Sequence, residues 1–250
     1  YNLPYYSFDK DLSQEYISGN FSFSSSGNNF LKNTNQIESN VINNLSYKSL
    51  DFISDLGLKK SFGFNFKNLN SVGKNTTKYK SSPQIEILNI YNLDVSLPLI
   101  KDNQKSKNLL TPKLSFRVNP SDMKDYSSSS NLINVNNAFA INRFGLSDSF
   151  EAGRSLTLGL DYKKEFKDSS SNLGLDNDKG NDDDPDNLAD INRYFEAKFA
   201  TVLRDKKENF IPNKSSLNRT NSNLFGAINS KFSDNLTMGY NFSLDNDYNT

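Results

Sequence analysis

Histidine, cysteine and tryptophan are absent from the 250 residues. Without imidazole there is no Ser-His-Asp or Cys-His nucleophile system and no histidine metal site; without thiolate there is no cysteine-ligated zinc and no disulfide. The missing cysteines say nothing of compartment, because an oxidising compartment permits disulfides without requiring them. A surplus of one charge is lacking too: 29 basic and 29 acidic side chains cancel. No net positive charge is left to neutralise phosphates, so nucleic acid is not an expected partner. No apolar run reaches the roughly 18 residues of a membrane helix. A transmembrane barrel stays open, since its strands need only about 9 to 11 residues with every second one apolar. The chain starts at Tyr1 with no initiator Met and no charged-then-apolar leader, and is expected to be an internal fragment.

What is present is aromatic and polar. Hydrophobic residues make up 35% of the chain, low for a compact buried core, yet Phe (19) and Tyr (12) stand among 38 Asn and 35 Ser. Such a mixture suits a wall with one greasy face and one wet face. Period-two alternation supports this. Ile85, Ile87, Asn89, Tyr91, Leu93, Val95, Leu97 and Leu99, all but one apolar, alternate with a largely polar set that includes Gln84, Glu86, Asn92, Asp94 and Ser96. Similar sets are Leu56, Leu58, Phe62, Phe64 and Phe66; Leu156, Leu158, Leu160 and Tyr162; and Leu236, Met238, Tyr240, Phe242 and Leu244. Side chains on a strand alternate faces, so each set predicts one apolar and one polar face. Ten strands are predicted, near 16–25, 36–49, 52–67, 84–99, 109–119, 132–141, 154–167, 191–204, 221–232 and 235–247. The fold expected is all-β: part of a larger antiparallel transmembrane β-barrel, with 1–250 as one fragment of an outer-membrane barrel domain.

Between the strands, turn signals fall at 119–122, 127–130 and 233–235. The stretch 168–190, rich in Asp, Asn, Ser and Gly, predicts a mobile acidic loop. Its carboxylates, Asp176, Asp178, Asp182, Asp183, Asp184 and Asp186, invite a calcium reading, but the spacing departs from the calcium-loop pattern: Gly180 falls one place early and Asn187 stands where Glu is needed. A solvated loop is the plainer reading, and no metal or cofactor is assigned. If the tight turn at 233–235 faces the periplasm, counting strands back places 168–190 on that side also. Glu86, Asp94, Asp161 and Glu196 lie on polar strand faces, where a general acid and base pair would have to be found, yet a hydrated barrel interior needs charges anyway; no catalytic residue is assigned. The Phe62, Phe64, Phe66 ladder offers a stacking platform for sugar or single-stranded nucleic acid, or a lipid-facing wall; with no basic surplus beside it, the wall is preferred.

At 110–122 the sequence reads Leu-Thr-Pro-Lys-Leu-Ser-Phe-Arg-Val-Asn-Pro-Ser-Asp. A Ser-rich loop follows, then Asn142, Arg143 and Phe144, then Asp148, Glu151 and Gly153, and finally Ser-Leu-Thr-Leu-Gly-Leu-Asp-Tyr at 155–162. Over roughly 50 residues this resembles the lipopolysaccharide-assembly family LptD, also called OstA. Gly145 directly after Phe144 departs from the family's usual spacing, and there are no cysteines for the disulfides some members use. The resemblance implies the middle of the C-terminal barrel domain of a non-enzymatic outer-membrane translocon in the Gram-negative cell envelope, with the lateral exit between first and last strands lying outside this chain. It implies lipopolysaccharide as cargo, an LptE-type lipoprotein plug, periplasmic Lpt bridge components, the barrel-assembly machinery and membrane lipid as partners. Arg143, with Asn142 beside it and Asp148 and Glu151 following, is a candidate for locking a loop over or inside the lumen by charge-assisted hydrogen bonds.

Two other readings stay open at this stage. One is a different outer-membrane barrel: a porin, marked by a constriction loop with segregated charge, or a receptor-type channel, marked by a plug domain. The other is a β-rich surface or adhesive protein that never enters a membrane.

Overall fold

A computed structural model describes residues 2–12, 18–32, 35–167, 193–233 and 235–245. Among the described residues twelve strands form one sheet: β1 (Asn2–Asp11), β2 (Gly19–Lys32), β3 (Gln36–Ser49), β4 (Phe52–Ile53), β5 (Lys59–Lys74), β6 (Gln84–Ser96), β7 (Leu99–Asp102), β8 (Ser106–Asn119), β9 (Gly153–Phe166), β10 (Arg193–Arg204), β11 (Leu224–Ser233) and β12 (Leu236–Leu244). Ten follow one another in chain order, β1-β2-β3-β5-β6-β8-β9-β10-β11-β12, while β4 pairs with β5 and β7 with β8. Neighbours are antiparallel throughout. Among the described residues β1 and β12 end the order without pairing to each other, so the sheet is a barrel wall that does not close on itself.

The alternating sets divide as expected. Ile85 is 74% exposed and Ile87 58%, whereas Leu88 and Ile90, on the other parity of the same strand, are buried. Phe62 and Phe66 are exposed beside Tyr47, which stacks on Phe64 with ring centroids 5.6 Å apart, and Phe52 stacks on Phe62 at 6.3 Å. The opposite face of β5, β6 and β8 to β11 is covered by the connection 120–152, which packs Met123, Ile133, Val135, Ala138, Phe144 and Leu146 against Ala200, Val202, Phe225 and Ala227. The connection 205–223 adds Ile211 and Leu217 to that core. Two backbone hydrogen bonds tie these connections together, Tyr126 N to Phe210 O and Asn213 N to Ser127 O.

Residues 132–141 are not a strand. They form successive turns inside the covering connection, because asparagine side chains compete with a ladder for the backbone. Asn134 Oδ1 accepts from the amides of Asn136 (2.9 Å) and Asn137 (3.2 Å), and Asn137 Oδ1 accepts from the amide of Asn134 (2.8 Å). Two other expected strands are broken. Residues 52–67 fold into the short β4–β5 hairpin, with Gly57 at φ +76° and its amide bonded to Ser54 O. Leu56, counted with the apolar alternation, therefore sits in the turn. Residues 84–99 divide at Leu97 and Pro98, where the proline removes a ladder donor; β7 then continues along β8. The strand β1 had no period-two signal because a bulge between Leu3 and Tyr6 shifts its parity. The Ser- and Asn-containing residues 22–29 lie within β2, which pairs with β3 from Gly19↔Ser49 to Lys32↔Gln36. The acidic stretch 168–190, with the carboxylates Asp176 to Asp186, lies outside the described residues.

Gly159 on β9 shows how closely the covering connection approaches the sheet: a Cβ there would stand 2.5 Å from the ring of Phe139. Gly159→Val is expected to lift that ring and open 120–152 to protease, with the heat-dependent gel shift of the folded sheet retained. An unchanged cleavage pattern would show that the ring does not hold the connection down.

Candidate functional site

Antiparallel order places the connections 75–83, 120–152 and 205–223 at the same end of the sheet, and the charged side chains of the motif converge there. On the covered face, Arg117 of β8, Ser155 of β9 and Arg204 of β10 occupy one row across three strands. With strands about 4.8 Å apart, the two arginine backbones are only about 10 Å apart on the same face. The connection brings a third arginine, Arg143, and one carboxylate, Glu151.

Glu151 is buried among all three. Arg143 grips it with two donors, Nε to Oε2 at 2.5 Å and Nη2 to Oε1. Arg204 Nη1 donates to Oε1, and Arg117 Nη1 stands 3.6 Å from Oε2. Other guanidinium donors reach backbone and hydroxyl oxygens, Arg143 Nη1 to Thr157 Oγ1 (3.2 Å), Arg143 Nη2 to Ser155 Oγ (3.2 Å), Arg117 Nη2 to Ala140 O (2.5 Å) and Arg204 Nη2 to Ala152 O, while Arg117 Nε and Nη1 and Arg204 Nε make no hydrogen bond among the described residues. Burial by itself would raise the Glu151 carboxyl, but Arg143, Arg204 and Arg117 outweigh it and hold the pKa down at about 2.

Asp148, the second motif carboxylate, does not meet Arg143. It turns toward the 75–83 connection, where it accepts hydrogen bonds from the Tyr126 hydroxyl and, at 3.3 Å, from Tyr79 Oη. Lys78 Nζ lies 3.5 Å away and Lys124 Nζ 3.9 Å. Desolvation opposes its ionisation, yet the Tyr126 hydroxyl and the two ammonium groups keep its pKa below the ordinary value. Burial and Asp148 push the Tyr126 hydroxyl well up, so it remains a donor. Lys67 of β5 grips the same segment from below, donating to Leu146 O (3.1 Å) and Ser149 O (3.2 Å) with its ammonium 4.3 Å from the Phe150 ring centroid.

The other motif residues hold shape. Asn142 closes its turn in both directions, Nδ2 to Leu146 O at 3.0 Å and Leu146 N to Oδ1 at 3.1 Å. Phe144 is buried in the core under the connection, and Gly145 follows at φ +64°. Gly153 enters β9 at φ +78°, where a Cβ would stand 2.8 Å from Glu208 Oε1. Arg117, Arg204, Lys67, Tyr79, Lys124 and Tyr126 were not singled out from sequence, although Arg117 and Lys67 occupy the polar parity of apolar-alternating strands, where a charge signals the covered face. The strand carboxylates are all engaged: Glu86 with Lys124 at 3.6 Å, Asp94 with Ser115 Oγ at 2.5 Å, Asp161 with Lys113, and Glu196 with Lys198 at 2.9 Å.

The family model described as LptD, LPS transport system D, matches residues 2–250. The chain belongs to the LptD family. No curated protein matches it. LptD is an outer-membrane transport family, so this chain has a role in lipopolysaccharide transport and outer-membrane assembly, and the unclosed antiparallel sheet is the barrel architecture that role uses. The porin reading called for a constriction loop with segregated charge. A loop does fold against the sheet, but its one arginine, Arg143, is buried against Glu151 beside Arg117 and Arg204 of the strands.

Removing one partner from a buried ion cluster costs about 3–5 kcal/mol, because the charges left behind stay desolvated. Glu151→Gln is expected to lose stability on that scale, read as a lower urea midpoint in lipid vesicles. Since folding depresses the Glu151 pKa from 4.5 to about 2, its contribution is complete above about pH 4.5 and fades as pH falls through about 2. A spin label on Ser130→Cys, unique in a chain without cysteine, should report a loop immobile at pH 6 and loosening only in that acid window. Loosening centred near neutrality would refute the assignment.

Proposed function

We propose that this chain is wall of the outer-membrane translocon that places lipopolysaccharide in the outer leaflet, and that 120–152 is a fixed partition inside it, locked by Arg143 and Glu151. The carrying observation is the division of the polar face. Over β5, β6 and β8 to β11 it is sealed by the connection, while on β2 and β3 it presents Asn20, Ser22, Ser24 and Ser26 paired across the strands with Lys48, Ser46, Asn44 and Ile42. Hydroxyls and amides of that kind solvate a passing saccharide, and Phe21, Phe23, Leu45 and Tyr47 on the outward face of the same strands meet lipid. The Asn142, Phe144 and Gly153 positions shape the partition, and Asp148 fastens its far side.

An LptE-type lipoprotein is the partner proposed for the uncovered β1–β3 face. Feeding by periplasmic Lpt bridge components and insertion by the barrel-assembly machinery complete the reading. With the end of the sheet that joins β11 to β12 toward the periplasm, the 75–83, 120–152 and 205–223 connections face outward from the cell.

Depleting the protein in its own host should strip lipopolysaccharide from the surface of intact cells and cause it to accumulate internally; normal surface display after depletion would sink the reading. Complementation with Arg143→Ala should restore folding, because Glu151 keeps Arg117 and Arg204, yet leave the outer membrane leaky to large antibiotics. Arg143→Lys should not repair the leak, since an ammonium cannot reproduce the two-pronged grip on Glu151. Wild-type permeability in Arg143→Ala would remove the locking role.

A further inference from the structure

The joint between β3 and β5 lies at the end of the sheet opposite the 75–83, 120–152 and 205–223 connections, and its composition is different. Where 75–83 sets Asn, Thr, Ser, Lys and Pro around the buried Tyr79, residues 50–58 carry Leu50, Phe52, Ile53 and Leu56, all exposed, with Leu56 at the tip 89% exposed. A connection that met only water would have no reason to display four large apolar side chains within seven residues.

The strip continues the outward, lipid-facing wall. Phe52 pairs with Lys60 and stacks on Phe62, ring centroids 6.3 Å apart and planes within 7°. Phe62 meets Tyr47 at 5.6 Å, and Tyr47 meets Phe64 at 5.6 Å and Phe21 at 6.2 Å. Five rings thus form one surface running from the wall into the hairpin. A protein seated on the strip would have to displace the lipid that packs against Phe62 and Tyr47.

The hairpin is also prepared to leave bulk water. Its turn spends its own donors: Ser54 N bonds to Leu58 O (3.0 Å), Gly57 N to Ser54 O (2.8 Å) and Leu58 N to Ser54 Oγ (3.2 Å), while Asp51 is paired with Lys59 at 2.8 Å. Backbone amides satisfied in this way lose little when water is withdrawn. Lys60, next to Phe62 on the same outward face, is exposed and has no ion-pair partner among the described residues. Its long stem can lie along apolar surface while the ammonium reaches phosphate level. Asp55, exposed at the tip, keeps the hairpin in the headgroup and upper acyl region, because a carboxylate is costly deeper in the bilayer.

We propose that the 50–58 hairpin is an interfacial anchor: Leu50, Ile53 and Leu56 enter the phospholipid leaflet beside the barrel, Phe52 joins them to the wall, and Lys60 takes a lipid phosphate. That this leaflet is the periplasmic one rests on the orientation given by the transport reading; the insertion does not. Anchored there, β5 is held against vertical sliding, and with it Lys67, which fastens 120–152 on that flank.

The test places an indole at the tip. Leu56→Trp, in the intact protein folded into vesicles of phosphatidylcholine and phosphatidylglycerol, is read as a difference against the parent. Lys206→Trp, at an exposed position on the other end, supplies the aqueous reference. The heat-dependent gel shift checks that both are folded. The Leu56 indole should emit to the blue of the reference, lose about half its intensity to lipid brominated on the upper acyl chain, and be about threefold less quenched by acrylamide. Equal emission, bromolipid quenching and acrylamide access at the two positions would overturn the proposal and leave the strip to a protein partner. Adding Lys60→Glu sets a like charge against phosphatidylglycerol and should move the acrylamide quenching at Leu56→Trp about halfway to the reference; no change would remove the phosphate contact. The vesicles hold neither cargo nor other transport components. The anchor can therefore fail while the transport reading stands, and stand even if depletion in the host leaves lipopolysaccharide display untouched.

Discussion

Glu151 supplies the carboxylate on which Arg117, Arg143 and Arg204 converge, and the covering connection depends on that arrangement. Two of those cations belong to strands and are fixed on one face by register, about 10 Å apart. Covering them with an apolar segment would leave two desolvated guanidinium groups, so the segment must carry a counter-charge to the point between them. It does so at the last turn before β9, and Arg143 steadies the carboxylate from the connection's own side. Ile133, Phe144 and Leu146 of the same connection pack into the apolar core.

A second clasp acts across the width of the partition. Lys67 holds the carbonyls of Leu146 and Ser149, and Tyr79 with Lys78 holds Asp148. The connection is therefore fastened to β5 and its following turn on one flank and to β8, β9 and β10 on the other. A segment held on both flanks transmits little movement from one to the other, which suits a partition more than a flap.

Much of this sheet was legible in the sequence because its outward face obeys period two. Strands with Phe, Leu or Ile on every second position, such as β5, β6, β9 and β12, were found with the correct face outward. The failures have separate physical causes. The β1 bulge shifts parity at Leu3 and Tyr6, Ser24 to Asn29 of β2 are polar on both faces and hide how far the strand predicted near 16–25 extends, and Ile133 and Val135 mimic a strand while burying themselves in a loop. Within the site, closeness in sequence sets both Asp148 and Glu151 against Arg143; Glu151 meets it and Asp148 does not. Arg117 and Arg204 come from strands that meet only through register, and Asp148 found its partners in a distant turn; sequence separation hides both.

The row Arg117–Ser155–Arg204 also bears on assembly. If β9 slid by one residue against its neighbours, Leu156 or Arg154 would stand between the two arginines and Thr157 would turn away from Arg143. Glu151, tied to the start of β9 through Ala152 and Gly153, would be pulled off its three partners at the same moment. Mispaired strands would then carry desolvated arginines with no carboxylate among them, whereas the native pairing sets Glu151 against all three. The arginine row thus works as a proofreading device, penalising each alternative alignment of a strand whose Leu, Thr, Gly and Ser would otherwise slide with little resistance.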